Sequence, residues 1–195
     1  MSFLNEILNT LQISILTNRN RNSFCINEKF YTYSDLAATV SKVRFSLSKA
    51  EVTGKSIGLM VNDDIETYAS IIAVWLEGAA YVPLHPNQPV ERSNEIVSQA
   101  GVSFVLDSRK MYRHGSVQRI EIGEEIPEEI DLTPHFVTDD TLAYILFTSG
   151  STGKPKGVQI TRRNLAAFMK SFWETGISLK ESDRCLQCFD LTFDV

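Results

Sequence analysis

The amino-acid sequence predicts an α/β fold, with a mostly parallel sheet covered by helices on both faces. Between residues 56 and 107, short apolar runs of strand length alternate with amphipathic segments of helical period. The composition fits a packed domain, because 43% of the residues are hydrophobic and 10% are aromatic. A chain of 195 residues can bury one sizeable core, so we expect one domain or a large piece of one.

Two helices are predicted in the first part of the chain. Apolar residues recur there at helical spacing without a preceding basic segment, which indicates a docking helix rather than a signal peptide. These residues are Leu4, Ile7, Leu8, Leu11 and Ile15. The second helix is predicted over 34–54, where Ser34 is suited to cap its start and Gly54 lies just beyond its end.

From residue 56 the pattern predicts strands and helices in alternation. The predicted strands are 56–61, 80–84, 102–107 and, further on, 142–148. The predicted helices are 64–78, 89–101 and 161–176. Parallel pairing with right-handed crossovers follows from this order. The last helix carries one apolar face that we expect in the core, formed by Leu165, Phe168, Met169, Phe172 and Trp173.

The charge balance and the cysteine content exclude several classes of protein. With a net charge of −5 and a pI near 5.3, the chain is not predicted to bind nucleic acid. The apolar run 71–76 is too short for a membrane span. An odd number of cysteines, three, favours free thiols in a reducing compartment, so we predict a cytoplasmic protein.

No metal site or hydrolase triad is predicted. Cys185 and Cys188 would face opposite sides of a strand, and the acidic run 121–131 fits a solvated connection better than a cation site. The segment 150–153 is one residue too short for the G-x-S-x-G nucleophile elbow. The three histidines lack the spacing of a zinc site, and they are His85, His114 and His135.

The run TSGSTGKPKG, 148–157, is the best candidate for a binding site. Its glycines allow backbone N–H groups to form a concave nest, and its hydroxyls and two ammonium groups suit a polyphosphate. A flexible surface turn has a similar composition, so composition alone leaves both interpretations open. The run matches neither the P-loop, which needs Gly where Pro155 stands, nor G-x-G-x-x-G.

This run closely resembles the phosphate loop of the adenylate-forming superfamily, which includes acyl-CoA synthetases, luciferases, nonribosomal peptide synthetase adenylation domains and D-alanine–carrier protein ligases. YTYSDL, 31–36, resembles the family's first core motif. WLEGAAYVPLHP, 75–86, resembles the second, in the form typical of amino-acid-activating members. The resemblance extends from about residue 31 to residue 195, with two departures: His85 replaces a usual Asp, and Arg162 replaces a frequent His.

The resemblance implies that this chain is the N-terminal part of the large domain of such an enzyme. Residues 1 to about 50 would pack on a second, missing sheet, and 51–195 would form the first α/β subdomain with the loop 148–157. The family's adenine site, Mg²⁺ ligand and catalytic Lys follow the position of Val195. No catalytic residue or metal ligand is therefore assigned here, and the 195-residue chain alone is expected to be inactive.

The resemblance also implies a reaction and the residues that serve it. ATP and an amino acid would give an aminoacyl-adenylate, and the phosphopantetheine thiol of a carrier protein would then take the aminoacyl group. Lys154 and Lys156 would add positive potential, although Lys156 could equally anchor the loop by pairing with a carboxylate. Gly157 would be the last residue of this phosphate-binding run. The residues that would hold the β and γ phosphates are Thr148, Ser149, Gly150, Ser151, Thr152 and Gly153.

Two Phe-Asp pairs near residue 195 compete for the role of substrate ligand. Aligning Asp183-Arg184 and Gln187 with the amino-acid-activating members favours Phe193 and Asp194, and the resemblance implies that the Asp194 carboxylate receives the substrate ammonium. Asp190 is the alternative. Two further functions stay open: an acyl-CoA synthetase or other carboxylic acid ligase, and a non-catalytic fragment that binds a nucleotide or a partner.

Overall fold

The computed structural model describes residues 3–112, 117–123, 127–149 and 154–193. The helices are α1 (Phe3–Thr17), α2 (Tyr33–Ser48), α3 (Ile65–Leu76), α4 (Val90–Gln99) and α5 (Arg162–Glu174). The strands are β1 (Asn22–Ile26), β2 (Lys29–Thr32), β3 (Ser56–Met60), β4 (Ala80–Leu84), β5 (Phe104–Leu106), β6 (Gln118–Ile120), β7 (Leu142–Ser149) and β8 (Pro155–Thr161).

The main sheet has six strands in the order β6-β5-β3-β4-β7-β8. Every neighbouring pair is parallel except β7 and β8, which form an antiparallel hairpin at one edge. β1 and β2 form a separate antiparallel hairpin that precedes α2. The predicted α/β class with a mostly parallel sheet is therefore confirmed.

Helices cover both faces of this sheet because alternate strand residues point to opposite sides. Ile57 and Leu59 of β3 belong to a core cluster with α1, α2 and α3, whereas Met60 belongs to a second cluster with α4. Trp75 fixes α3 to the sheet, since its indole N–H donates to the Ala143 carbonyl of β7 at 2.9 Å. The sheet, held between these helices, fixes the positions of the strand ends.

The structure corrects the predicted bounds of α2. Its N-cap is Thr32 rather than Ser34, because the Thr32 hydroxyl accepts the Asp35 N–H and the Asp35 carboxylate accepts the Thr32 N–H. The helix ends at Ser48, well before Gly54. The ends of α3 and α4 agree with the prediction, since Gly78 and Gly101 follow them with positive φ angles of 74° and 61°.

The apolar face of α5 was expected in the core, and that prediction is correct only in part, because Leu165 packs against the core cluster while other residues of the face are exposed. Phe168 is 63% exposed and Trp173 is 45% exposed. Within the described part of α5, only Arg162 and Ala166 are buried. Periodicity identifies an apolar face but carries no information about which element covers it.

The N-terminal helices share one core cluster with α3 and with β3 of the six-stranded sheet. α2 packs along α3, and α1 contacts both α2 and α5. The second sheet expected for residues 1–50, and the subdomain boundary near residue 50, stay predictions. No helix in the described ranges is long and apolar enough to cross a membrane.

Candidate functional site

The predicted phosphate loop begins at the carboxyl end of a parallel strand. β4 and β7 are parallel neighbours, with Tyr81 opposite Tyr144. Four residues further along each strand stand His85 and Thr148, so the end of β4 and the start of the loop share one sheet edge. In open α/β sheets, ligands bind outside this edge.

The loop is shorter than the sequence suggested. Thr148 and Ser149 belong to β7, and they pair with Lys156 and Pro155 of β8. The expected loop 148–157 is thus corrected to a hairpin whose paired strands include both ends of the motif. The motif residues Gly150, Ser151, Thr152 and Gly153 lie outside the described residues.

The two predicted lysines differ in position, and both are exposed. Lys154 directly precedes β8, and Lys156 lies within it, opposite Thr148. Within the described ranges, no carboxylate pairs with the Lys156 ammonium. The alternative that Lys156 anchors the loop through a carboxylate therefore finds no support among these residues.

Gly157 has a packing role next to the predicted site. A Cβ atom at this position would lie 2.9 Å from Cζ of Phe147, the residue opposite it on β7. The aromatic ring thus lies directly over the Gly157 backbone, and a side chain there would displace it. This contact gives a structural reason for glycine at the end of the motif.

Arg162, one of the two departures noted in the sequence, is a fully buried cation. Its Nη2 donates to the Trp75 carbonyl at 2.7 Å, and its Nη1 donates to Asn5 Oδ1 at 3.3 Å. Trp75 lies in the last turn of α3, where the helix dipole favours a positive charge. Burial lowers the pKa of Arg162 to about 10, so the guanidinium stays charged at neutral pH.

The predicted substrate segment follows α5 and is described as far as Phe193. Phe193 is 71% exposed, and its N–H donates to the Asp190 carbonyl at 3.0 Å. Asp190 Oδ1 accepts the N–H and the hydroxyl of Thr192 at 2.8 and 2.7 Å. These bonds form a tight turn over 190–193. Asp194 lies outside the described residues.

The turn contacts the end of β4 through a pair that the sequence did not indicate. Asp190 Oδ2 lies 3.1 Å from His85 Nε2, and His85 Nδ1 accepts the Asn87 N–H at 3.0 Å. The sequence singled out His85 as a departure and Asp190 as a competing ligand. Only the fold brings them together, because the contact depends on where the chain returns after α5.

A second polar group lies at the same sheet edge, after β3 and β5. Asn62 Nδ2 donates to Asp107 Oδ1 at 3.0 Å and to Ser108 Oγ at 2.8 Å. Asp107 Oδ2 accepts the Tyr112 N–H at 2.6 Å. Since Asn62 and Asp107 are buried and bonded, this network stabilises the strand ends rather than offering free ligands.

The described residues contain no group of three His, Cys, Asp or Glu side chains that could hold a metal ion. Cys25, Cys185 and Cys188 are free and exposed. His114, one of the histidines considered in the sequence, lies outside the described residues.

Curated relatives are large peptide synthetases. The chain is 34% identical over 180 residues to the "Ferrichrome siderophore peptide synthetase" of Mycosarcoma maydis, covering 86% of the chain and 4% of that protein. It is 32% identical over 174 residues to "Bacitracin synthase 1" of Bacillus licheniformis, covering 87% of the chain and 3% of that protein. The chain thus spans a small fraction of the length of these relatives.

Solved structures share the fold. The N-terminal subdomain of NpsA from Klebsiella oxytoca matches 83% of this chain and 43% of its own, with a TM-score of 0.66 and 23% identity. The nonribosomal peptide synthetase FmoA3 matches 95% of this chain and 20% of its own, with a TM-score of 0.79 and 20% identity.

A family profile covers nearly all of the chain. Residues 15–195 match the family described as "AMP-binding enzyme". This range includes both core motifs and the predicted phosphate loop. The structural matches agree with it. The chain therefore belongs to the AMP-binding, adenylate-forming enzyme family.

Proposed function

We propose that this chain supplies the phosphate-binding edge and part of the acid pocket of an enzyme that activates an amino acid as its adenylate. The substrate carboxylate would attack the α-phosphorus of ATP, forming a P–O bond while the bond to the leaving pyrophosphate breaks. The supporting observation is one shared sheet edge: β7 ends there in the predicted loop, and the turn 190–193 contacts the end of the neighbouring β4 through His85.

The protein's part in this chemistry is positioning and charge stabilisation. The Thr148 to Gly153 motif would donate N–H and O–H groups to the β and γ phosphates. Lys154 and Lys156 would contribute positive potential from exposed positions around the start of β8. Both side chains are exposed, so their ammonium groups are accessible to an anion.

Asp194 is the proposed ligand of the substrate ammonium, and Phe193 would line the same pocket. Both oxygens of the alternative ligand, Asp190, are already engaged, one by Thr192 and the other by His85. An ammonium at Asp190 would have to share the carboxylate with these partners. This occupancy favours the register that makes Asp194 the ligand.

Cofactor and partner proposals follow from the family and the relatives. ATP is the proposed cosubstrate, with Mg²⁺ as the metal typical of the family; no Mg²⁺ ligand is assigned among the described residues, and no step is derived through the metal. An artificially fused adenylation-PCP di-domain is among the structural neighbours. We propose a phosphopantetheinylated carrier protein as acceptor, a cytoplasmic location, and no activity of the 195-residue chain alone.

A rival function within the same family is an acid ligase without an ammonium partner. An o-succinylbenzoate CoA synthetase from Bacillus subtilis shares the fold, with a TM-score of 0.73 and 22% identity. Such an enzyme needs no carboxylate at the floor of its pocket. The two functions therefore differ in whether Asp194 contributes to activity with an amino acid more than to activity with the matching acid that lacks the amino group.

Amino-acid-dependent ATP–pyrophosphate exchange by the complete protein tests the proposal. Asp194→Ala strands the substrate cation, and breaking a buried pair costs about 3–5 kcal/mol. We expect kcat/KM for the preferred amino acid to fall at least about 10²-fold. Exchange with the matching acid without its amino group should hold steady or rise.

Asp190→Ala is the register control in the same assay. It removes no ammonium ligand in the proposed register, so any loss should affect the two acids alike. The assignment of the ammonium site would be wrong if Asp190→Ala selectively lost activity with the amino acid. It would also be wrong if Asp194→Ala lost activity equally with both acids. Activity with acids that lack an amino group, and none with amino acids, would favour the rival ligase.

A further inference from the structure

We propose that a polar contact between His85 and Asp190 acts as a latch that positions the turn 190–193 against the end of β4. The kinetic part of this inference rests on the proposed function, because the turn leads directly into the proposed ammonium ligand. His85 is thus a positioning residue that acts through Asp190. The latch itself is a structural claim that can be tested without any substrate.

The protonation state of His85 follows from its neighbours. Its Nδ1 accepts the Asn87 backbone N–H at 3.0 Å, and a backbone N–H can only donate. The neutral ring therefore carries its proton on Nε2, which faces Asp190 Oδ2 at 3.1 Å. The Nε2–H group thus lies next to a carboxylate oxygen, and the partial positive charge of the one attracts the negative charge of the other.

Asp190 transmits this contact to the turn. Its second oxygen, Oδ1, accepts both the N–H and the hydroxyl of Thr192, and its carbonyl accepts the Phe193 N–H. One carboxylate thus joins the turn to β4 on one side and closes the turn on the other. Displacing Asp190 from His85 would move the backbone of Thr192 and Phe193 with it.

The segment after α5 becomes partly buried at Asp190, the residue where the latch begins. Residues 173–189 are all exposed, whereas 190–192 are partly buried. An exposed ion pair between Arg21 and Glu181 is a separate attachment nearer to α5. The chain after α5 therefore docks onto the sheet edge at Asp190, the residue that His85 holds.

A pair of substitutions separates donor geometry from side-chain bulk. Asp190→Asn can keep its oxygen on the Thr192 N–H only by turning its amide N–H₂ towards His85 Nε2–H, which sets two donors against each other. The His85 tautomer with its proton on Nδ1 cannot relieve this, because that proton would face the Asn87 N–H. His85→Gln keeps an N–H donor, and its amide can rotate to offer oxygen, so H85Q should tolerate Asp190 and also rescue D190N.

Amide hydrogen exchange on this chain is the first measurement. We expect D190N to speed exchange at Thr192 and Phe193 by about tenfold, the size expected for losing one polar contact to a charged group, while α3 amides stay unchanged. H85Q should resemble the wild type, and H85Q/D190N should recover most of the protection. Unchanged exchange in D190N, or no recovery in the double variant, would overturn the latch.

Exchange kinetics on the complete enzyme are the second measurement. D190N should raise the KM for the carboxylic acid substrate by up to about tenfold and leave the KM for ATP unchanged, with recovery in H85Q/D190N. An unchanged acid KM alongside faster amide exchange would refute the positioning role. A wild type that activates no acid would refute the proposed function, while the amide measurement would still decide the latch.

Discussion

The Arg162 guanidinium donates to the Trp75 carbonyl at 2.7 Å across the interface between α5 and α3. Arg162 has no exposed surface, and no carboxylate of the described residues pairs with it. Its charge is balanced by the carbonyl end of α3 and by the Asn5 amide oxygen of α1. One side chain therefore ties three helices together.

We expect Arg162→Ala to destabilise the chain by about 3 kcal/mol or more, because it leaves a cavity and removes two hydrogen bonds from a charged donor. Arg163→Ala is the matched control, since Arg163 pairs with Asp140 at the surface with side chains 63% and 78% exposed. Because both groups of this pair are solvated, Arg163→Ala should shift the unfolding midpoint much less than Arg162→Ala. Urea unfolding of both variants compares them, and equal midpoints would contradict the structural role.

The buried pair of Arg44 and Glu77 predicts a strongly non-additive mutant cycle. Arg44 Nε lies 2.6 Å from Glu77 Oε1, and the side chains are only 8% and 7% exposed. Arg44→Met or Glu77→Leu strands one buried charge and should cost about 3–5 kcal/mol. The double variant strands none, so its free energy of unfolding should lie above that of either single variant. Additive losses would refute this expectation.

Asp35 predicts an acid-sensitive contribution to stability. Hydrogen bonds from the Thr32 N–H and hydroxyl lower the pKa of Asp35 below its ordinary value. A lowered folded-state pKa contributes stability above the unfolded pKa, and this contribution is lost as the pH falls below about 4. Asp35→Asn should therefore reduce the loss of stability on acidification, as measured by urea unfolding at a series of pH values.

The equivalent capping box at α5 is an internal control for this effect. Thr161 is paired there with Asn164, whose amide does not titrate. Asn164→Asp should introduce the same acid sensitivity that Asp35→Asn removes. Identical pH profiles for the wild type and Asp35→Asn would show that the cap does not sense pH.

Gly78 and Gly54 separate two costs of adding a side chain. Their φ angles are 74° and 75°, but a Cβ on Gly78 would lie 2.7 Å from Val137 Cγ1, whereas a Cβ on Gly54 would meet nothing within 4 Å. Gly54→Ala should cost about 1–2 kcal/mol for its backbone alone. Gly78→Ala should cost about 1–3 kcal/mol more by overpacking, and Val137→Ala should relieve that excess in thermal or chemical unfolding.

Lys156 predicts a kinetic effect in the complete enzyme. If its ammonium contacts a phosphate, Lys156→Ala removes a charge-assisted contact worth about 1.5–3 kcal/mol. The value of kcat/KM in the exchange assay should then fall roughly ten- to hundredfold. Lys170→Ala is the control, because Lys170 lies on the exposed surface of α5 beside Glu174. Equal activity of the two variants would show that the loop backbone, and not the Lys156 ammonium, binds the phosphate.

The strands and helices between residues 56 and 107 could be predicted because each is a short apolar run or an amphipathic segment. β8 was missed, since Pro155 and Gly157 are poor strand residues. Pro155 is tolerated because it is the first residue of an edge strand. The β1–β2 hairpin was missed because Glu28, with a φ of 64°, occupies a turn position that usually signals itself as glycine.

The part of the candidate site that lies in one continuous stretch of sequence could be predicted. The phosphate motif is one continuous run, so its residue types are readable without a fold. The contacts of His85 with Asp190 and of Arg162 with Trp75 join distant parts of the chain, and no local pattern encodes them. Both residues were noticed only as departures from a motif, and the fold supplied their partners.

The parallel pairing of β4 with β7 has a consequence for the order in which the chain folds. Residues 85–141 separate these neighbouring strands, whereas β3 and β4 are joined only by α3 and short turns. Closing a long loop is entropically costly, and distant pairings form slowly. We therefore expect β3, α3 and β4 to assemble early as a nucleus. The β7–β8 hairpin, which carries both ends of the phosphate motif, would then dock late.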